Sequence, residues 1–160
     1  MKAFLVLWVT VILVPSVYSQ LPQIDPYDFI VEACANNEGW NYVTTLDAYE
    51  SVKIQANQNW KSNRSYYPST GVKHYDSRHP FPDKNAMAVI FRVRVNGQYS
   101  YHTMCCNFKS GAPLEWTLAP KSFSYDAGRN GAQIHWMVND WQEGGLGDNS
   151  GCINLYVSKE

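Results

Sequence analysis

The sequence predicts an all-β sandwich, and three observations carry that prediction. Apolar and polar residues alternate in short runs, as at Val52-Lys53-Ile54-Gln55. That is the period of a strand with one face buried and one solvated. Turn residues punctuate the chain between such runs, at Tyr67-Pro68, His79-Pro80, Asn96-Gly97, Ala112-Pro113 and Ala119-Pro120. No segment keeps a helical spacing over three turns. Many short strands separated by turn signals are the pattern of two packed antiparallel sheets.

The chain opens with Met1-Lys2 and an apolar run from Ala3 to Val14, followed by Val17-Tyr18-Ser19. A short basic start, an apolar middle and modest residues before the cut define a secretory signal peptide over residues 1–19. The apolar run is too short to span a bilayer well. No second long apolar stretch follows, so the expectation is a secreted, extracellular protein without a transmembrane segment. Residues 20–160 then form one domain, long enough to bury a core.

Gln20 to Asp28, with Pro22 and Pro26, reads as an extended lead-in. The first clear strand holds Val52 and Ile54. Lys61 to Ala86 is long, polar and irregular, the kind of loop that carries function. Val89, Phe91, Val93 and Val95 then alternate with Ile90, Arg92 and Arg94, and Asn96-Gly97 follows. Asn-Gly between such runs signals a two-residue hairpin, with a return strand from Tyr99 to Phe108. The last two strands hold Ile134, Trp136 and Val138, and Ile153, Leu155 and Val157.

Composition excludes some partners. Net charge is −1 and no basic stripe exists, so a nucleic-acid surface is not expected. The 11 Tyr and 6 Trp, of which Trp8 lies in the leader, suit a packed core and sugar-binding surfaces equally. Cys34, Cys105, Cys106 and Cys152 read as two disulfides in a secreted chain. Adjacent strand residues point to opposite faces, and a bridge between neighbours needs a strained ring. Cys105 and Cys106 are therefore each expected to bond elsewhere, one to Cys34 and one to Cys152, with the assignment open. The alternation of His102, Met104, Cys106 and Phe108 turns Cys106 to the core.

The most chemically loaded stretch runs from Asn139 to Gly151. It holds Asp140, Asp148 and Asn149 around Gly144-Gly145. Calcium takes six to eight hard oxygen ligands from carboxylates, carboxamides and backbone carbonyls, and a flexible glycine-rich loop can wrap it. A polar hairpin turn would use the same residues. Two carboxylates could also do acid–base work, but on one loop they are better placed to share a cation. No nucleophile elbow, HExxH motif or histidine pair at zinc spacing exists, so the chain is not expected to be an enzyme. Asn63-Arg64-Ser65 is an N-glycosylation sequon, which predicts a glycan on Asn63. His79 reads as an exposed loop imidazole able to bond a sugar hydroxyl.

Together these residues resemble the calcium-dependent galactose-binding lectins of the bacterial PA-I type. The likeness is strongest at Asn139-Asp140 and Gly147-Asp148-Asn149-Ser150-Gly151. It extends thinly through Gly131 to Ile134, Ala88 to Val95, His79-Pro80, Val52 to Ala56 with Trp60, and Ala35 to Glu38. The resemblance implies a jelly-roll β-sandwich with a galactose-binding-domain-like fold. It implies Ca2+ held by the side chains of Asp140, Asp148 and Asn149 and by carbonyls near Gly145 and Asn63. It implies that a galactose-type glycan meets the ion beside Asp140 and Asp148 and contacts His79. Trp141 stands where that family has a small aliphatic residue, and its ring could stack on a sugar. The competing expectation is a secreted structural or protein-interaction sandwich that binds no sugar. Either reading is compatible with an oligomer.

Overall fold

The computed structural model describes residues 24–56, 59–62, 65–68, 70–72, 77–104, 121–140 and 146–160. The strands are β1 (Phe29–Cys34), β2 (Asn41–Leu46), β3 (Ser51–Ala56), β4 (Asn59–Ser62), β5 (Ser65–Pro68) and β6 (Thr70–Val72). They continue with β7 (Ala86–Val95), β8 (Gln98–Thr103), β9 (Lys121–Asp126), β10 (Ala132–Val138), β11 (Asn149–Ser150) and β12 (Cys152–Lys159). Two 3-10 turns, Gly128–Asn130 and Leu146–Asp148, precede β10 and β11. Among the described residues, no helix is long and apolar enough to cross a membrane.

One sheet has the order β1-β12-β3-β9. The other runs β2-β10-β7, and the far edge of β7 is shared: β6 pairs with Ala86 and Ala88, β8 with Ile90 to Val95. A small third sheet, β11-β4-β5, lies outside both. The chain changes between these two sheets from β1 to β2, from β2 to β3, from β3 by way of β4 and β5 to β6, from β8 to β9, from β9 to β10, and from β10 by way of β11 to β12. This interleaving of two antiparallel sheets is the jelly-roll plan, as expected.

The alternation in the sequence becomes the core. Val52, Ile54, Ile153, Leu155 and Val157 face inward from one sheet. Val89, Phe91, Val93, Ile134, Trp136 and Val138 meet them from the other, and Phe91 stacks on Phe123 at 4.5 Å between ring centroids. Each such side chain contributes roughly 1.5–3 kcal/mol when fully buried. The β7–β8 hairpin turns on Asn96 and Gly97, with φ of 49° and 79°. Positive φ at both central residues is the two-residue turn that Asn-Gly favours.

Several expectations need correction. Lys61 to Ala86 is not wholly irregular: it contains the end of β4, then β5 and β6. Strands of three or four residues are too short to show a period. The Asp/Asn loop is no hairpin turn, because β10 and β12 lie in different sheets and the chain crosses between them. The return strand ends at Thr103, although Met104 is buried as its alternation required. Cys105, Cys106 and Phe108 lie outside the described residues.

The disulfide expectation is overturned. Cys34 bonds Cys152, not Cys105 or Cys106. β1 and β12 are antiparallel neighbours, and Cys34 sits directly opposite Cys152 in their register, with Cα atoms 3.9 Å apart. Spatial pairing of the two end strands of the domain decided the partner, and that pairing is not written in the spacing of the cysteines.

Candidate functional site

Chain segments distant in sequence meet around Asn149. β11 pairs with β4, so Asn149 lies opposite Ser62. On its other side the Ala35 amide donates to the Gly151 carbonyl at 3.1 Å. The Asn149 side chain is buried between them. Its amide nitrogen donates to the Ala35 carbonyl at 3.1 Å and to Asp140 Oδ2 at 2.9 Å. Its carboxamide oxygen is buried and has no hydrogen-bond partner among the described residues. Leaving such an acceptor unmet costs about 1–3 kcal/mol, so this oxygen marks a place where something positive or hydrogen-donating belongs.

Asp140 follows the end of β10 and is largely covered, with 14% of its side chain exposed. Its second oxygen, Oδ1, lies 3.5 Å from His79 Nε2. That is too long for a good hydrogen bond but close enough for an electrostatic neighbour when the ring is protonated. His79 is 8% exposed. The exposed loop imidazole expected from the sequence is therefore a buried one, packed against the carboxylate.

Asn139, just before Asp140, is fully buried and belongs to the architecture. Its backbone continues the ladder, donating to the Ala88 carbonyl at 2.8 Å and accepting from the Met87 amide at 2.9 Å. Its side-chain oxygen accepts from the Phe81 amide at 3.1 Å. Its side-chain nitrogen donates to the carbonyls of Phe81 at 2.9 Å, Asn85 at 2.9 Å and, more weakly, Lys84 at 3.4 Å. One carboxamide thus fastens the loop that follows His79-Pro80. Met87 is held nearby at a φ of 60°, and its carbonyl accepts from the buried Trp60 indole at 3.0 Å. A bulky residue at positive φ is strained and persists only where its surroundings force it. From the sequence Asn139 opens the oxygen-rich loop and belongs to the motif that carries the resemblance. Its role depends on partners more than fifty positions away, which no local pattern displays.

Of the predicted site residues, the fold brings Asp140, Asn149 and His79 together. Asp148 is exposed at the end of the turn before β11. Gly145, Trp141 and Asn63 lie outside the described residues, although the pairing of Ser62 with Asn149 brings the chain next to Asn63 up to the site. A different trio, Glu32, Cys34 and Cys152, also gathers ligand-type atoms. Both of its sulfurs are spent in the disulfide, so it offers a cation only one carboxylate. Asp140 and Asn149 supply hard oxygens of the kind calcium prefers, and the buried, unpartnered Asn149 oxygen fits such an ion. No protein-family model and no curated protein matches this chain.

Proposed function

We propose that this protein is a secreted, calcium-dependent lectin-like protein that binds galactose-type glycans. The observation that carries the reading is the Asn149 carboxamide oxygen, buried beside the Asp140 carboxylate with no hydrogen-bond partner among the described residues. Asp140, Asp148 and Asn149, with backbone carbonyls near Gly145 and Asn63, would hold the ion. Bound calcium would supply coordination for two neighbouring sugar hydroxyls in place of water. The chain's own residues do the positioning. Asn149 fixes one Asp140 oxygen through its amide, and His79 sits against the other. Asn139 locks the loop that carries His79. The leader-like N-terminus and the disulfide suit an oxidising, extracellular setting.

A ligand that binds only the folded state stabilises it by mass action, by about 2.7 kcal/mol at a hundredfold excess over Kd. Calcium should therefore raise the melting temperature, chelator should reverse the shift, and Asp140→Ala should abolish it. Retention on a matrix of immobilised multivalent galactose should require calcium, with avidity compensating for weak single sites. A full calcium shift in Asp140→Ala would refute the ion site.

One observation favours a structural or protein-interaction domain instead. His79 is buried against Asp140 rather than presented to a ligand. On that reading calcium would still stabilise the fold, but no glycan matrix would retain it.

A further inference from the structure

The outer face of the β2-β10-β7-β8 sheet carries a row of side chains that neither the core nor the Asn149 site uses. Tyr42 pairs with His135, His135 with Arg92, and Arg92 with Tyr101, each directly opposite the next across four strands. The neighbouring row is Gln133, Arg94 and Tyr99. Residues directly opposite on paired strands share a face, so seven polar or aromatic side chains form one continuous surface. Tyr42, Tyr99 and Tyr101 are among the most exposed large side chains, at 57%, 49% and 43%.

At one end of this same face Ala88, Ile90 and Met137 are buried under Trp40 and Phe81. The Arg92 guanidinium stacks 4.5 Å from the Trp40 ring and 4.9 Å from the Tyr99 ring, and that of Arg94 lies 6.0 Å from Tyr99. Aromatic rings hold a guanidinium in place without neutralising it. Neither arginine has a carboxylate partner among the described residues. Arg92 Nε and His135 Nδ1 are both buried without a hydrogen-bond partner among the described residues. Burial first, and then the charges of Arg92 and Arg94, push the His135 imidazole below its ordinary pKa. Among the described residues, acids stand at the rims: Glu38 beside a hollow of ≈ 500 Å³ lined by Trp40, Phe81 and Tyr101, and Asp47 beside a cleft at Arg94.

We propose that this outer face binds an acidic saccharide, whose carboxylate or sulfate is held by Arg92 and Arg94 while its rings lie on Tyr42, Tyr99 and Tyr101. The charge argues for an anion, since two immobilised guanidiniums face outward with spare donors, and charge-assisted bonds to carboxylate or sulfate are strong. The exposed layer argues for a sugar. Its tyrosine rings each carry a hydroxyl and Gln133 adds an amide, while the purely apolar rings Trp40 and Phe81 pack on each other and on Tyr101 at one end of the face. An acidic peptide would need an apolar anchoring pocket at the centre of the face, and the centre is occupied by Arg92. The site needs no metal, so it stands or falls separately from the calcium reading.

The test uses the full secreted protein in chelator, titrated calorimetrically with three hexasaccharides: one sulfated, one of uronic acid, one neutral. Binding of either acidic saccharide but not the neutral one is expected, weakening as salt rises. The comparison of sulfated with uronate arms identifies the anionic group. Arg94→Gln, on an exposed side chain that risks little in folding, should lower affinity about tenfold, and Arg92→Gln as much or more. Lys53→Gln removes a positive charge from the other sheet and should change affinity less than about twofold. Absence of binding to both acidic saccharides at low salt would overturn the proposal. So would unchanged affinity in Arg94→Gln, or equal affinity for a poly-glutamate peptide of the same charge.

Discussion

Asn139 shows how far one buried carboxamide can organise a site without touching a ligand. It is fully buried, and both side-chain polar atoms are used, with three of its partners being backbone carbonyls of the 81–85 loop. Replacing it by alanine would strand the Phe81 amide and these carbonyls away from water. Each stranded group costs about 1–3 kcal/mol, less where water enters the space. We expect Asn139→Ala to lower stability by about 3 kcal/mol in urea denaturation. Because the loop anchors His79 against Asp140, the same variant should also weaken any calcium-induced melting shift. A stability loss below about 1 kcal/mol would show that the loop is held by other contacts. Asn149 contrasts with it. Its carboxamide oxygen is buried and meets no hydrogen-bond partner among the described residues, which distinguishes a candidate ligand from a polar staple.

At the scale of elements, the entry to β10 depends on Gly131. Its φ is +64°, and a Cβ built there would lie 2.6 Å from the Leu46 carbonyl oxygen on the neighbouring strand. Gly97, in the hairpin turn, also has positive φ, but a Cβ there would meet nothing within 4 Å. Gly131→Ala should therefore cost about 2 kcal/mol or more, and Gly97→Ala only about 1 kcal/mol. Chemical denaturation of the two variants side by side checks the order, and an equal loss would mean that β2 yields without cost. The strands legible from sequence were β3, β7, β10 and β12, whose inward residues alternate with period two, and β8, which follows the Asn96-Gly97 turn. β1 was hidden because Phe29, Val31 and Ala33 alternate with the apolar, exposed Ile30. β4, β5 and β6 are too short to carry a period. The candidate ligands Asp140 and Asn149 were legible because oxygen donors crowd one glycine-rich loop. Their mutual hydrogen bond, the buried His79 and the anchoring by Asn139 were not, since these follow from which strands become neighbours.

For the whole molecule, that same neighbour relation governs the cysteines. β1 and β12 are the first and last of the described strands, and their antiparallel pairing sets Cys34 against Cys152 across a sequence separation of 118. A crosslink over so long a loop removes much conformational freedom from the unfolded chain, worth about 4–5 kcal/mol in the loop-entropy account and typically 2–5 kcal/mol when a native bridge is deleted. The bridge also lies next to the Asn149 site, since Ala35 and Gly151 are hydrogen-bonded just beyond the two cysteines. It holds the backbone whose Ala35 carbonyl receives the Asn149 amide. Non-reducing peptide mapping should recover Cys34 joined to Cys152. Recovery of Cys34 joined to Cys105 or Cys106 would show the end strands paired differently. The double variant Cys34→Ser/Cys152→Ser should lose about 2–5 kcal/mol in urea denaturation. If calcium binds at Asn149, that variant should lose affinity for the ion as well, because freeing β1 from β12 loosens the carbonyl that orients the Asn149 side chain. A variant that loses stability but keeps its full calcium affinity would place the ion's support in the β4–β11 pairing alone.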